Sequence, residues 1–181
     1  QEYSMQARTI SSFVLGLGAL LIAPLAAAHT GVHAGQGLID GFMHPASGLD
    51  HLLVAIAAGY WAARTGDHGL QRILYVLSVY AGGLLLGVAS LAWAQPDLLI
   101  WAGALVTAVV IAMAIAAPQL VGYTLFGGFA GYHGLAHMLG VTGTAGISGF
   151  GIGLFLSMSV LLLMGLILHA VVATHRAHAD R

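Results

Sequence analysis

The sequence predicts an all-α integral membrane protein, a helical bundle of five to six transmembrane helices with one short half-helix. Three observations carry that expectation. Hydrophobic residues make up 59% of the 181 and charged residues only 6%, against about 25% charged in an average soluble chain, so the protein cannot cover a water-facing surface. Mean hydropathy is +0.94, and the apolar residues form runs close to the ~20 residues that cross a bilayer. Glycine, at 26 residues, suits membrane helices that pack closely on small side chains.

Residues 5–28 read as a signal peptide or an uncleaved first helix. Met5 reads as the natural start, Arg8 supplies a positive n-region, and Phe13 to Ile22 form the apolar h-region. Pro24 breaks that run, and Ala26-Ala27-Ala28 is a small-residue cleavage site that would leave His29 as the mature N-terminus. Residues 29–181 then form a single transmembrane helical domain. Gly35 to His44 reads as the half-helix. Apolar spans follow at Ala46 to Ala63, Leu70 to Ala94, Leu98 to Ala116, Leu120 to Leu139 and Ile147 to Ala173. Punctuation separates them: Arg64-Thr65-Gly66-Asp67, Gln95-Pro96-Asp97, Pro118, and the glycine-rich stretch Gly140 to Gly146.

Charge sets the expected orientation. Arg8 precedes the first segment, Arg64 and Arg72 flank the loop after the first span, and Arg176 and Arg181 follow the last. Five spans starting outside, or six starting inside, put all five arginines and the C-terminus in the cytoplasm. The net charge of -1 offers no basic patch for nucleic acid, and the lack of cysteine excludes disulfides, thiolate metal sites and thiol catalysis. Ten histidines stand against five arginines and no lysine, so metal chemistry must rest on imidazole and carboxylate.

Ionisable residues inside a span cost roughly 2.5–3.5 kcal/mol at the bilayer centre on insertion scales, which makes them the informative ones. The first constellation is His44-Pro45-Ala46-Ser47-Gly48-Leu49-Asp50-His51. Pro45 disfavours helical geometry at His44, so the chain can bend there and bring His44 over the start of the next helix. Asp50 and His51 lie about 100° apart on a helix, which suits a ligand and a carboxylate partner that orients it; Ser47 or Asp50 serving only as an N-cap is the plainer alternative. The second constellation is Tyr132-His133-Gly134-Leu135-Ala136-His137. His133 and His137 share a helix face at i, i+4, a spacing that lets two imidazoles hold one metal, or else they are core histidines bonded to backbone or water.

Further candidates are weaker. His169, near the inner end of the last span, either completes the site or is an interfacial histidine. Asp40 lies four residues before His44 and shares its face if that stretch is helical. His68, His175 and His178 read as solvated, although a cytoplasmic histidine tail could pass metal along. In His29-Thr30-Gly31-Val32-His33, cleavage after Ala28 would let the α-amine and imidazole of His29 chelate a metal, with His33 close by; neutral nitrogen donors suit nickel and copper.

Together these features resemble the HupE/UreJ family of hydrogenase and urease accessory membrane proteins. The family's HPxxGxDH motif is matched from His44 to His51, and its FHGxAHGxE motif in part from Tyr132. Tyr132 stands for Phe, Met138 for Gly and Gly140 for Glu, the last removing a carboxylate; Ala55 stands where many relatives have Met. The resemblance implies a multi-pass nickel permease of the bacterial inner (plasma) membrane that supplies hydrogenase or urease maturation, with His44, Asp50, His51, His133 and His137 carried over as metal residues. Ligand type alone does not choose among nickel, copper, cobalt and zinc. The expected partners are the bilayer, the metal ion, and a second copy or a membrane complex. The alternative function is a metal-binding structural subunit of a larger membrane complex. Enzymatic activity is not expected, because the HxxxH pair lacks the glutamate of HExxH.

Overall fold

The computed structural model describes residues 33–34, 37–64, 66–89, 119–139, 141–142 and 147–179. The elements in chain order are β1 (His33–Ala34), α1 (Leu38–Ser47), α2 (Leu49–Arg64), α3 (Gly69–Ala89), α4 (Gln119–Leu139), β2 (Val141–Thr142) and α5 (Ile147–Ala179). The two short strands pair in parallel, with His33 opposite Val141 and Ala34 opposite Thr142. The expected signal segment and the expected span from Leu98 to Ala116 lie outside the described residues. Among the described residues, two helices, Gly69–Ala89 and the stretch Ile147–His178 of α5, are long and apolar enough to cross a membrane.

The half-helix is present, but it breaks later than the proline predicts. α1 runs through Pro45 to Ser47, and Gly48 is the extended residue that separates it from α2. Two local features explain this. Pro45 falls in the last turn, where its missing N–H removes a single bond. Ser47 then turns back and donates its hydroxyl to the His44 carbonyl at 2.6 Å, taking up an acceptor that the end of a helix leaves open. The carbonyl of Gly48 begins the next ladder by accepting from the Leu52 amide at 3.1 Å. Ser47 therefore closes α1 rather than capping α2.

Glycine governs how the helices pair. A Cβ on Gly41 would collide with the Phe150 carbonyl, and one on Gly153 with the Leu38 carbonyl, so α1 and the start of α5 touch backbone to backbone. Gly59 meets Leu162, and Gly165 meets Ile56 and Tyr60, continuing that contact along α2. α1 and α2 thus lie end to end and parallel to α5. Gly83 against Gly131, and Gly134 against Tyr80, seat α3 on α4 in the same way. This second pair is also parallel, because Tyr75 meets Tyr123 at one end while Gly87 meets Leu135 at the other. In lipid, where apolar side chains gain little by leaving their surroundings, close backbone approach supplies the packing energy that holds helices together.

The two pairs meet over a core of Val54, Ala58, Trp61, Tyr80, Phe126, Leu154 and Leu162. Trp61 covers Gly122 and packs against Tyr123 and Phe126. Arg72 is buried at the α2–α3 turn and donates to the carbonyls of Ala62 at 3.0 Å and Gly66 at 3.5 Å, which satisfies the frayed end of α2 and fixes where α3 begins.

Candidate metal centre

The break at Gly48 creates the site. It ends α1 with His44 in the last turn and starts α2 with His51 in the first. α4 approaches α2 from the opposite direction: Trp61, late in α2, meets Phe126, while His51, early in α2, meets His133 and His137. Three separate helices therefore deliver histidines to one level of the bundle.

The geometry there is compact. One ring nitrogen from each of His44, His51 and His137 lies within 4.8 Å of the others. The Nε2 atoms of His51 and His137 are 3.1 Å apart. One ring must carry its proton on Nε2 and the other must present a lone pair there. That separation falls between the about 2.9 Å of neighbouring nitrogens around a square-planar ion and the about 3.3 Å around a tetrahedral one, for metal–nitrogen bonds of about 2.0–2.1 Å. His44 would close in by an ångström or so through a small change at its χ angles. His133 adjoins the group, with its ring centroid 4.4 Å from those of both His51 and His137. The i, i+4 reading of α4 is thus realised as two rings in mutual contact.

All four rings are removed from solvent, with exposures of 8% for His44, 1% for His51, 3% for His133 and 6% for His137. Four imidazoles gathered in a largely apolar interior are nitrogen donors of the kind that a borderline transition-metal ion takes. Two aromatic rings wall it. Phe129 stacks on His133 with centroids 4.6 Å apart, and Phe150 meets His44 edge-on at 5.9 Å. Sequence reasoning passed over both phenylalanines. Phe129 lies one helical turn before His133, the spacing at which it could have been found; Phe150 reaches the site only through the α1–α5 crossing.

The other predicted residues divide. Asp50 occupies the first turn of α2 beside His51, and the description does not extend to its side chain. Asp40 is helical and one turn ahead of His44, but it is exposed at the start of α1. His33 lies in β1, in register with Val141 four residues past His137; His29 is outside the described residues. His169 is not in the group. It packs against Tyr60 with centroids 5.1 Å apart, and it lies 19 residues beyond Phe150 on α5, about 29 Å along the helix axis.

Comparison with known proteins places the chain in a family. The sequence model of the family described as "HupE / UreJ protein" matches residues 17–181. The chain belongs to the HupE/UreJ family. "Protein HupE" of Rhizobium leguminosarum bv. viciae is 31% identical over 154 residues, covering 84% of this chain and 79% of that relative. No solved structure matches. In this HupE/UreJ protein both halves of the family pattern converge: the stretch from His44 to His51 supplies the broken helix, and the stretch from Tyr132 to His137 supplies the facing pair.

Proposed function

We propose that this HupE/UreJ protein is a secondary permease for a divalent transition metal, nickel first, that supplies metalloenzyme maturation. The observation that carries the reading is the convergence of His44, His51 and His137 from three helices within 4.8 Å, buried, with His133 alongside. A cation crossing a bilayer needs donors that replace its hydration shell. Neutral imidazoles do so while adding no charge of their own. Asp50, in the first turn of α2, would supply the carboxylate that offsets ion charge.

The expected topology has a cytoplasmic C-terminus in a bacterial inner membrane. It draws support from the packing, since Tyr60 near the end of α2 meets His169 near the end of α5, so that Arg64, Arg72 and Arg176 share one end of the bundle. The metal would enter the cage from the opposite end, where β1 pairs with β2, and leave toward the arginine-bearing face. The chain has no nucleotide-binding motif, so the driving force would be the membrane potential, a proton gradient or a cytoplasmic metal sink.

Nickel uptake by cells expressing the wild type, His44→Ala and His51→Ala, with membrane levels followed by immunoblot, tests this. Both variants should insert normally and lose uptake. Normal uptake by both would remove the cage from the mechanism. Metal analysis of the purified wild type alongside His51→Ala addresses which ion is held, with substoichiometric nickel lost in the variant as the expected result.

A further inference from the structure

The far end of α5 carries a second pair of imidazoles that the cage does not use. α5 has 33 residues, about 50 Å of helix against a hydrocarbon layer of about 30 Å. It therefore overruns the bilayer, and the packing shows at which end. Tyr60, four residues before α2 stops, meets His169, and α5 continues ten residues further to Ala179. Every residue from Ala173 to His178 is exposed.

His175 and His178 lie on this projecting end at i, i+3, about 60° apart around the axis, so their side chains are neighbours on one face. Nδ1 of His178 is 2.8 Å from the Thr174 carbonyl oxygen. A carbonyl can only accept, so Nδ1 carries the proton, and in the neutral ring Nε2 presents its lone pair outward. A backbone carbonyl holding one ring nitrogen is the device that fixes the ligating tautomer in metal-binding histidines. Both residues also belong to the final turn and a half of the helix, where unpaired carbonyls carry partial negative charge that favours a cation. Arg176 lies about 100° from His175 and about 160° from His178, so it does not stand between them. Among the described residues, only His44, His51 and His137 form a three-ligand group, so of those residues none joins the α5 pair as a third ligand, and water would fill the remaining positions.

We propose that His175 and His178 form an open, two-imidazole landing site for a borderline divalent cation (nickel, copper or zinc) on the projecting end of α5. Two protein ligands and exchangeable water hold an ion loosely enough for a partner with more donors to take it. The place of this pair on a transport route rests on the permease reading above; its ability to bind metal does not.

The test is isothermal titration of nickel ion into untagged, full-length protein in lipid nanodiscs. The wild type should show two classes of site. His175→Gln/His178→Gln should lose the weaker class and keep the tighter one. Each single substitution should weaken the looser class at least about tenfold, because the second imidazole acts at high effective concentration. Copper ion added to His51→Ala should give an electron paramagnetic resonance spectrum with two coupled imidazole nitrogens, reduced to one by the further change His178→Gln. Superimposable isotherms for the wild type and the double variant would overturn the proposal. A His51→Ala isotherm identical to wild type, with the weaker class still lost in the double variant, would instead overturn the cage and leave the α5 pair standing.

Discussion

The substitution Gly153→Ala would separate tight helix contact from simple helix propensity. A Cβ at Gly153 would press on three backbone positions of α1: the Leu38 carbonyl, the Phe42 nitrogen at 2.6 Å and the Gly41 carbonyl carbon at 2.9 Å. Backbone atoms cannot rotate aside, so α1 must withdraw from α5. At Gly128, by contrast, an added Cβ meets nothing within 4 Å among the described residues. Alanine gains about 0.5–1 kcal/mol over glycine in a helix interior, and this gain is common to both positions. Overpacking costs about 1–3 kcal/mol and falls on Gly153 alone. The difference in unfolding free energy between Gly153→Ala and Gly128→Ala should therefore be about 1–3 kcal/mol, a factor of about five to more than a hundred in the folded ratio. Unfolding in mixed micelles with increasing denaturing detergent, followed by circular dichroism, measures it. His44 rides on the displaced helix, so nickel binding should weaken in Gly153→Ala and remain unchanged in Gly128→Ala. Equal stabilities for the two variants would refute the α1–α5 crossing as drawn, and with it the route by which Phe150 reaches His44.

Two further substitutions probe the frame around the cage. Arg72→Met roughly keeps the length of the side chain but removes the Nη1 that donates to the Ala62 and Gly66 carbonyls at the α2–α3 turn, and a hydrogen bond from a charged group contributes about 1.5–3 kcal/mol; the same micelle titration should show a loss of that order, with Arg72→Lys intermediate. Phe129→Leu nearly conserves volume, so its cost in stability should stay below about 1.5 kcal/mol; loss of the ring stacked on His133 should nevertheless lower nickel affinity by about tenfold, the scale seen when a ligand's orienting partner is removed, read by calorimetry.

What could be read from the sequence follows from how local each feature is. The apolar runs gave α3, α4 and α5 nearly as they are, since length and composition decide whether a helix can lie in lipid. The i, i+4 pair of His133 and His137 was legible because helical spacing alone brings those rings together. The break between α1 and α2 was expected at Pro45 but falls at Gly48, because Pro45 sits in the last turn, where it removes a single bond, and the Ser47 hydroxyl takes up the His44 carbonyl at the helix end. His169 has the residue type of a ligand, yet its distance from the cage depends on the parallel register of α2 and α5. Gly59 and Gly165 set that register by contact, and no periodicity announces which glycine meets which backbone. The buried role of Arg72 was hidden for the same reason: as a sequence feature it counts only toward orientation.

The break at Gly48 also bears on the carboxylate missing at Gly140. α1 ends beside the cage with His44 in its last turn, and α4 ends beside it with His137 in its last turn. Each helix C-terminus carries about half a negative charge, so two such ends lie at the level of the cage. α2 begins there as well, and its N-terminus contributes about half a positive charge in the turn that holds Asp50. A carboxylate in that turn turns a repulsive helix end into a net attractive one. On these figures the backbone alone leaves about half a negative charge around the cage and the Asp50 carboxylate adds a full one, while the four rings supply the donors. Backbone dipoles are fixed in place and cannot follow an ion or close around it. A site that draws a divalent cation with helix ends and one carboxylate, and offers it neutral exchangeable donors, is consistent with the permease reading, in which binding must stay weak enough for release.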